Sequence, residues 1–144
     1  MKKMLLEVER LTVIVTVDER NGRAFLGKRL SRDQALCEDV LCVCDGRALT
    51  VTPKSAPLFS GARLSVREDL FDGARSGEVF FSEVEPLLPV SEKITTLVVY
   101  RWNRRYPSDL NLDLTPEACG LRLISAHEFV GKSHEKITRE EYRR

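Results

Sequence analysis

Histidine is nearly absent from this 144-residue chain, which has only His127 and His134. That scarcity removes most imidazole-based metal centres and acid–base sites, and no metal is expected. No two of the eight glycines are adjacent, and neither a GxGxxG nor a GxxxxGK[ST] stretch occurs, so the common glycine-rich phosphate cradles are missing. A Gly-x-Ser-x-Gly nucleophile turn is missing too. The four cysteines, Cys37, Cys42, Cys44 and Cys119, form no CxxC pair, which argues against a redox dithiol or a zinc framework. Charge of one sign is not in excess either: Lys+Arg 23 against Asp+Glu 22 leaves a net charge of +1 and no global field toward nucleic acid or an acidic membrane. No apolar run reaches the length of a membrane span, and Glu7, Glu9 and Arg10 interrupt the opening stretch that a signal peptide would keep apolar. Reduced cysteines without an export signal point to the cytoplasm.

What the chain does have is enough apolar sequence, 42% of residues, for one core in one domain over 1–144. Leu11 to Val17 is rich in β-branched residues and apolar on both faces, as a central strand requires. Asp18 to Gly22 ends it with Asn-Gly turn chemistry, and a basic loop is expected from Arg23 to Leu30. Ser31-Arg-Asp-Gln34 has the form of a capping box and opens a helix expected from Ser31 to Asp45. Its stripe runs through Leu36, Cys37, Val40, Leu41 and Cys44, with Asp45-Gly46 as a left-handed stop. Short strands are expected over 48–52, 63–67 and 78–82, with one helical turn inside 54–59. Thr95 to Trp102 carries the strongest strand signal in the chain, and clean alternation follows over 110–114 and again at 121–124. The tail from Lys136 suits either a short helix, through the capping form Thr138-x-x-Glu141, or an edge strand. Strand and helix interchange in the first half, and strands joined by short turns fill the second. The fold class is therefore α/β, with a mixed, mainly parallel central sheet and antiparallel C-terminal strands.

Two polar stretches stand out. Tyr100 to Tyr106 alternates three arginines, Arg101, Arg104 and Arg105, with three aromatics, a composition able to grip phosphates and stack bases. It equally suits arginines leaving a strand end while the aromatics cover the core edge. His127 and His134 are each followed by glutamate, but neighbours in a strand or helix do not share a face. Solvated or capping roles are expected for both.

The order of these elements resembles dihydrofolate reductase across nearly the whole chain. The likeness rests on Val15 to Gly22, ending in Asp-x-x-Asn-Gly, on Thr96 to Trp102 leading to Tyr106-Pro-Ser-Asp109, on Leu121-Arg-Leu, and on a His134 segment closing at Tyr142-Arg-Arg144. The resemblance implies that fold, an NADPH cofactor and a substrate-binding carboxylate on the first helix, for which Asp33 and Glu38 are the candidates. Two departures bear on function. Ser82-Glu83 stands where that family places a Gly-Gly turn against the pyrophosphate, and Pro53-Lys54-Ser55 stands where it places a Gly-Arg-x-Thr phosphate contact. A carboxylate at Glu83 repels phosphate at short range, and side chains obstruct it. The runs 100–109 and 129–138 also resemble small proteins of anaerobic Firmicutes, some labelled ribonuclease Z. That chemistry needs a His-x-His-x-Asp-His cluster for two zinc ions, which two histidines cannot assemble.

Three functions follow as expectations. The first is a non-redox binding or accessory domain on a degenerate dihydrofolate-reductase-like scaffold, with a small molecule or a protein as partner and no cofactor. The second is a divergent NADPH-dependent reductase holding its cofactor through Lys54, Arg101 and Arg104, with Asp33 or Glu38 orienting substrate. The third, weakest on charge balance, is nucleic-acid binding through residues 100–106.

Overall fold

The structure is a computed structural model that describes residues 10–144. The interrupted apolar stretch at Glu7 and Glu9 lies outside them. In chain order the elements are β1 (Leu11–Val17), β2 (Gly22–Phe25), β3 (Lys28–Arg29), α1 (Gln34–Cys44), β4 (Leu49–Val51), β5 (Leu64–Val66), β6 (Val79–Ser82), β7 (Ile94–Arg101), β8 (Leu110–Asn111), β9 (Arg122–Phe129) and β10 (Ile137–Arg143). Short 3-10 turns at Ala56–Phe59, Leu88–Lys93 and Glu117–Cys119 join them.

Seven strands form the main sheet in the order β5-β4-β6-β1-β7-β10-β9. The pairs from β5 through β7 are parallel, while β10 runs antiparallel to both β7 and β9. The mixed α/β sheet expected from the sequence is thus present. β1 is central because it can be buried on both sides: Leu11, Val13, Val15 and Val17 enter one core with Phe80, Leu97 and Val99, and Ile14 enters the other with Leu36, Val40, Phe81 and Val98. Each such buried side chain contributes roughly 1.5–3 kcal/mol relative to exposure. Helix α1 covers the second core through Leu36, Val40 and Cys44, one turn apart, and Asp45 stops it in the left-handed region at φ 50°.

Four expectations are corrected. The helix begins at Gln34, not Ser31, because Asp33 rather than Ser31 is its N-cap: an extended backbone at φ −155° lets the Asp33 carboxylate accept from the Ala35 amide at 2.8 Å. Residues 23–30 are not plain loop; β2 pairs with β3 and β8 in a small second sheet. Only Leu110–Asn111 pairs in the 110–114 segment, since Leu114 turns into the core. The tail is a strand, but an interior one: Ile137 and Tyr142 enter opposite cores, and β9 takes the edge.

Candidate functional site

The C-terminal ends of the parallel strands open at the point where β1 has β6 on one side and β7 on the other, the usual place for a crevice in an open α/β sheet. A cleft of about 710 Å³ opens to one side of that point, at the ends of β4, β5 and β6, lined by Lys28 and Arg29 from β3, by Thr52 to Ser55 after β4, by Glu68 after β5, and by Glu83 to Glu85 after β6.

The turn after β6 is held rigidly. Arg23, in the expected basic loop, is buried beneath it and donates to the Ser82 carbonyl at 3.0 Å, the Ser82 hydroxyl at 2.7 Å and the Glu85 carbonyl at 2.6 Å. Ser82 in turn donates to the Glu85 carboxylate at 2.9 Å. Beside it, the Glu83 carboxylate accepts from Arg29 at 2.7 and 2.9 Å and from the Ser55 hydroxyl at 2.7 Å. Its side chain is only 11% exposed. Arg29 also donates to the Lys54 carbonyl at 2.8 Å, which closes the cluster across the two strand ends. The Lys28 and Lys54 ammonium groups line the cleft with no ion-pair partner among the described residues.

A second polar cluster lies beside it, where the start of α1 meets the loop before β10. The Asp33 carboxylate is fully buried and accepts from the amides of Ala35 (2.8 Å), Lys132 (3.0 Å) and Ser133 (2.8 Å) and from His134 Nδ1 (2.9 Å). Burial alone would raise its pKa. The Lys132 amide, the His134 ring and the other two amides outweigh that and hold the carboxyl well below the usual range. His134 Nε2 faces two hydroxyls, Ser31 Oγ at 3.0 Å and the Tyr106 phenol at 2.9 Å. Trp102 stacks on the imidazole at 4.5 Å. Between this cluster and Glu83 remains a crevice of about 10 Å³, lined by Thr16, Ser31, Asp33, Phe81 and Trp102, enough for about one water.

The structure does not bring the expected cofactor contacts together. Lys54 lines the 710 Å³ cleft, Arg101 on β7 pairs with Glu140 at 2.9 Å, and Arg104 lines a separate depression with Glu128 and Glu135. Of the two carboxylates, Asp33 is enclosed, and Glu38 lies exposed on α1 where Gln34 donates to it. The aromatics of 100–106 face inward: Tyr100 is buried and donates to Asp39 at 2.6 Å, Trp102 covers His134, and Tyr106 bonds the same ring. Tyr100 and Trp102 are therefore closed to a base. Of the solvated or capping roles expected for both histidines, the solvated one is excluded for His134, which is buried against the N-cap Asp33, while His127 is exposed on β9. The two do not meet, and no cluster of metal-ligating residues occurs among the described residues. Arg23, Arg29, Ser31, Tyr106 and His134 were not legible as a site. The one local hint was Gly131, whose absent Cβ lets the loop close on Asp33.

Over 96% of the chain the structure superposes on dihydrofolate reductase from Enterococcus faecalis complexed with NADP(H) and RAB-propyl, covering 97% of that chain with a TM-score of 0.59 at 10% identity. The fold is dihydrofolate-reductase-like. At that identity the likeness concerns architecture alone. No family model matches this chain. None of the curated proteins matches it either.

The dihydrofolate-reductase-like scaffold permits a direct test of fit for the dinucleotide. Ser82 and Glu83 carry side chains where the resemblance expects two glycines, and both are engaged, Ser82 with Arg23 and Glu83 with Arg29 and Ser55. The Ser55 hydroxyl, in the stretch where the phosphate contact is expected, donates to a carboxylate instead. These residues do not fit a pyrophosphate.

Proposed function

We propose that this chain is a non-redox binding domain that takes a small molecule in the 710 Å³ cleft of a dihydrofolate-reductase-like scaffold. The observation that carries the reading is the Glu83 carboxylate, fixed by Arg29 and Ser55 at the end of β6. A phosphate brought to that turn meets a negative charge a few ångströms away whose counter-ion is already engaged, an unfavourable contact even in a partly solvated cleft. The lining balances three cations, Lys28, Arg29 and Lys54, against three anions, Glu68, Glu83 and Glu85. Such a cleft has no net pull on a polyanion and suits a neutral or zwitterionic ligand. Free thiols at Cys37, Cys42, Cys44 and Cys119 fit a reducing cytoplasm, and no helix among the described residues is long and apolar enough to cross a membrane.

Titration of the purified chain with NADPH and with folate analogues, followed by thermal shift and calorimetry, tests the reading. No binding is expected at micromolar concentrations. Micromolar affinity for NADPH would overturn it in favour of a reductase.

A further inference from the structure

Ser31, Asp33 and His134 are close in space although 101 residues separate the last two. We propose that they form a hydrolytic triad for short-chain acyl esters, with Ser31 as nucleophile, His134 as general base and Asp33 as the positioning residue. This goes beyond the binding reading and does not depend on it.

The geometry assigns each role. His134 Nδ1 lies 2.9 Å from Asp33 Oδ2, and Asp33 is an acceptor only, its two oxygens already taking three backbone amides. Nδ1 therefore carries the proton, and the Nε2 lone pair is left facing Ser31 Oγ at 3.0 Å. Asp33 has no exposed side-chain surface and His134 has 3%, while Trp102 stacks on the ring and fixes its plane. An acid, a ring in one tautomer and a hydroxyl at hydrogen-bond distance is the arrangement by which unrelated folds activate a serine. Tyr106 adds a second hydroxyl at 2.9 Å that can accept from Nε2–H once the ring is protonated. A purely structural staple between α1 and the β10 loop needs one partner on the buried far nitrogen, and the two hydroxyls there are one more than burial requires.

Ser31 is partly exposed and lines the 10 Å³ crevice. That crevice shares Glu83 with the 710 Å³ cleft, and shares Arg32, Cys37 and Leu58 with an open depression of about 320 Å³. Only about one water fits beside the nucleophile, so the acyl group must be small and lie, with the alcohol portion, in the adjoining openings. In the reaction, Ser31 Oγ bonds to the carbonyl carbon as Nε2 takes the hydroxyl proton. The tetrahedral species collapses, the C–O bond to the alcohol breaks, and Nε2 returns the proton to the departing oxygen. Water then attacks the acyl-serine, losing its proton to Nε2, and collapse expels Ser31 Oγ, which regains that proton. Ester and water become acid and alcohol, with nothing oxidised or reduced.

The test uses the full chain with p-nitrophenyl acetate, reading nitrophenol release together with intact mass and peptide mapping. One acetyl group per chain on Ser31 is expected, and Ser31→Ala should lower release by at least about a hundredfold while keeping the wild-type melting temperature. Ser31→Cys should restore acylation at that position. Asp33→Asn should slow acylation by about a thousandfold or more, with partial recovery in Asp33→Glu. Because Ser31→Ala leaves the Asp33 contacts in place, it remains informative if the Asp33 variants fail to fold. Equal release by wild type and Ser31→Ala, or acetylation confined to lysines, would overturn the proposal whatever the cleft binds.

Discussion

Replacing Asp33 with alanine should be among the most destabilising single changes in this protein, and the size of the loss can be built from its contacts. The helix loses its N-cap bond to the Ala35 amide, which costs about 1 kcal/mol. His134 Nδ1, on a side chain only 3% exposed, loses its acceptor, which costs about 1–3 kcal/mol for a buried donor left unpaired. The Lys132 and Ser133 amides belong to exposed residues that water can reach, so their loss is nearer the net value of about 0.5–1.5 kcal/mol each. The sum is about 3–7 kcal/mol, a large part of a typical domain's stability. Equilibrium urea unfolding of both proteins from neutral pH downward measures it. Asp33 has its pKa lowered in the folded state, so its contribution is complete above the unfolded carboxyl's value of about 3.9 and is lost as pH falls through that value toward the folded one. Taking wild type minus variant cancels the other carboxylates, and the difference should be constant near neutrality and shrink below about pH 4. A difference under about 1 kcal/mol at pH 7, or one that grows on acidification, would refute the reasoning.

Other consequences are checked as directly. Gly131→Ala places a Cβ 2.6 Å from Asp33 Oδ2 and 2.8 Å from the His134 carbonyl, and should cost about 1–3 kcal/mol in denaturant unfolding through forced displacement of that loop. Glu83→Gly removes the carboxylate and frees Arg29, so NADPH binding by titration should become stronger than in wild type, where none is expected. Burial first, then the charges of Asp33 and Glu83, push the Cys37 thiol up to about 11, so mass-mapped alkylation at pH 8 should label exposed Cys42 well before Cys37. Tyr100→Phe leaves Asp39 with Arg139 at 2.6 Å as its partner and should cost about 1 kcal/mol.

The scaffold was legible because its signals are local. Leu11 to Val17 and Thr95 to Trp102 show burial on both faces in their own sequence, and β1 and β7 do lie side by side at the centre. The left-handed stop at Asp45 was likewise readable from Asp-Gly, because few other residues tolerate that conformation. The cap was not readable because what decides it is not local. Ser31 and Asp33 are both good capping residues two apart, and the choice fell to Asp33 because Lys132, Ser133 and His134 favour its carboxylate while His134 faces the Ser31 hydroxyl. Those partners are about a hundred residues away. The tail posed the same difficulty: Thr138-x-x-Glu141 reads as a helix start until β7 and β9 supply strands on both sides of it.

Asp33 and Glu83 together show why the position of a charged residue says less about chemistry than the state of its oxygens. Both lie where the resemblance to dihydrofolate reductase directs attention, one at the first helix and one at the end of β6. Both are nearly closed to solvent, and both are engaged: Glu83 with a guanidinium and a hydroxyl, Asp33 with three amides, the Ser133 hydroxyl and an imidazole. A carboxylate satisfied in this way can still act on a ligand, but only through the group it holds. Glu83 holds Arg29, and that pairing withdraws a cation from the cleft and so works against an anionic cofactor. Asp33 holds a ring whose far nitrogen meets a serine, so its charge can reach a substrate by way of His134 without ever touching it. On one scaffold, then, the same internal neutralisation closes off one chemistry at the end of β6 and prepares another at the start of α1.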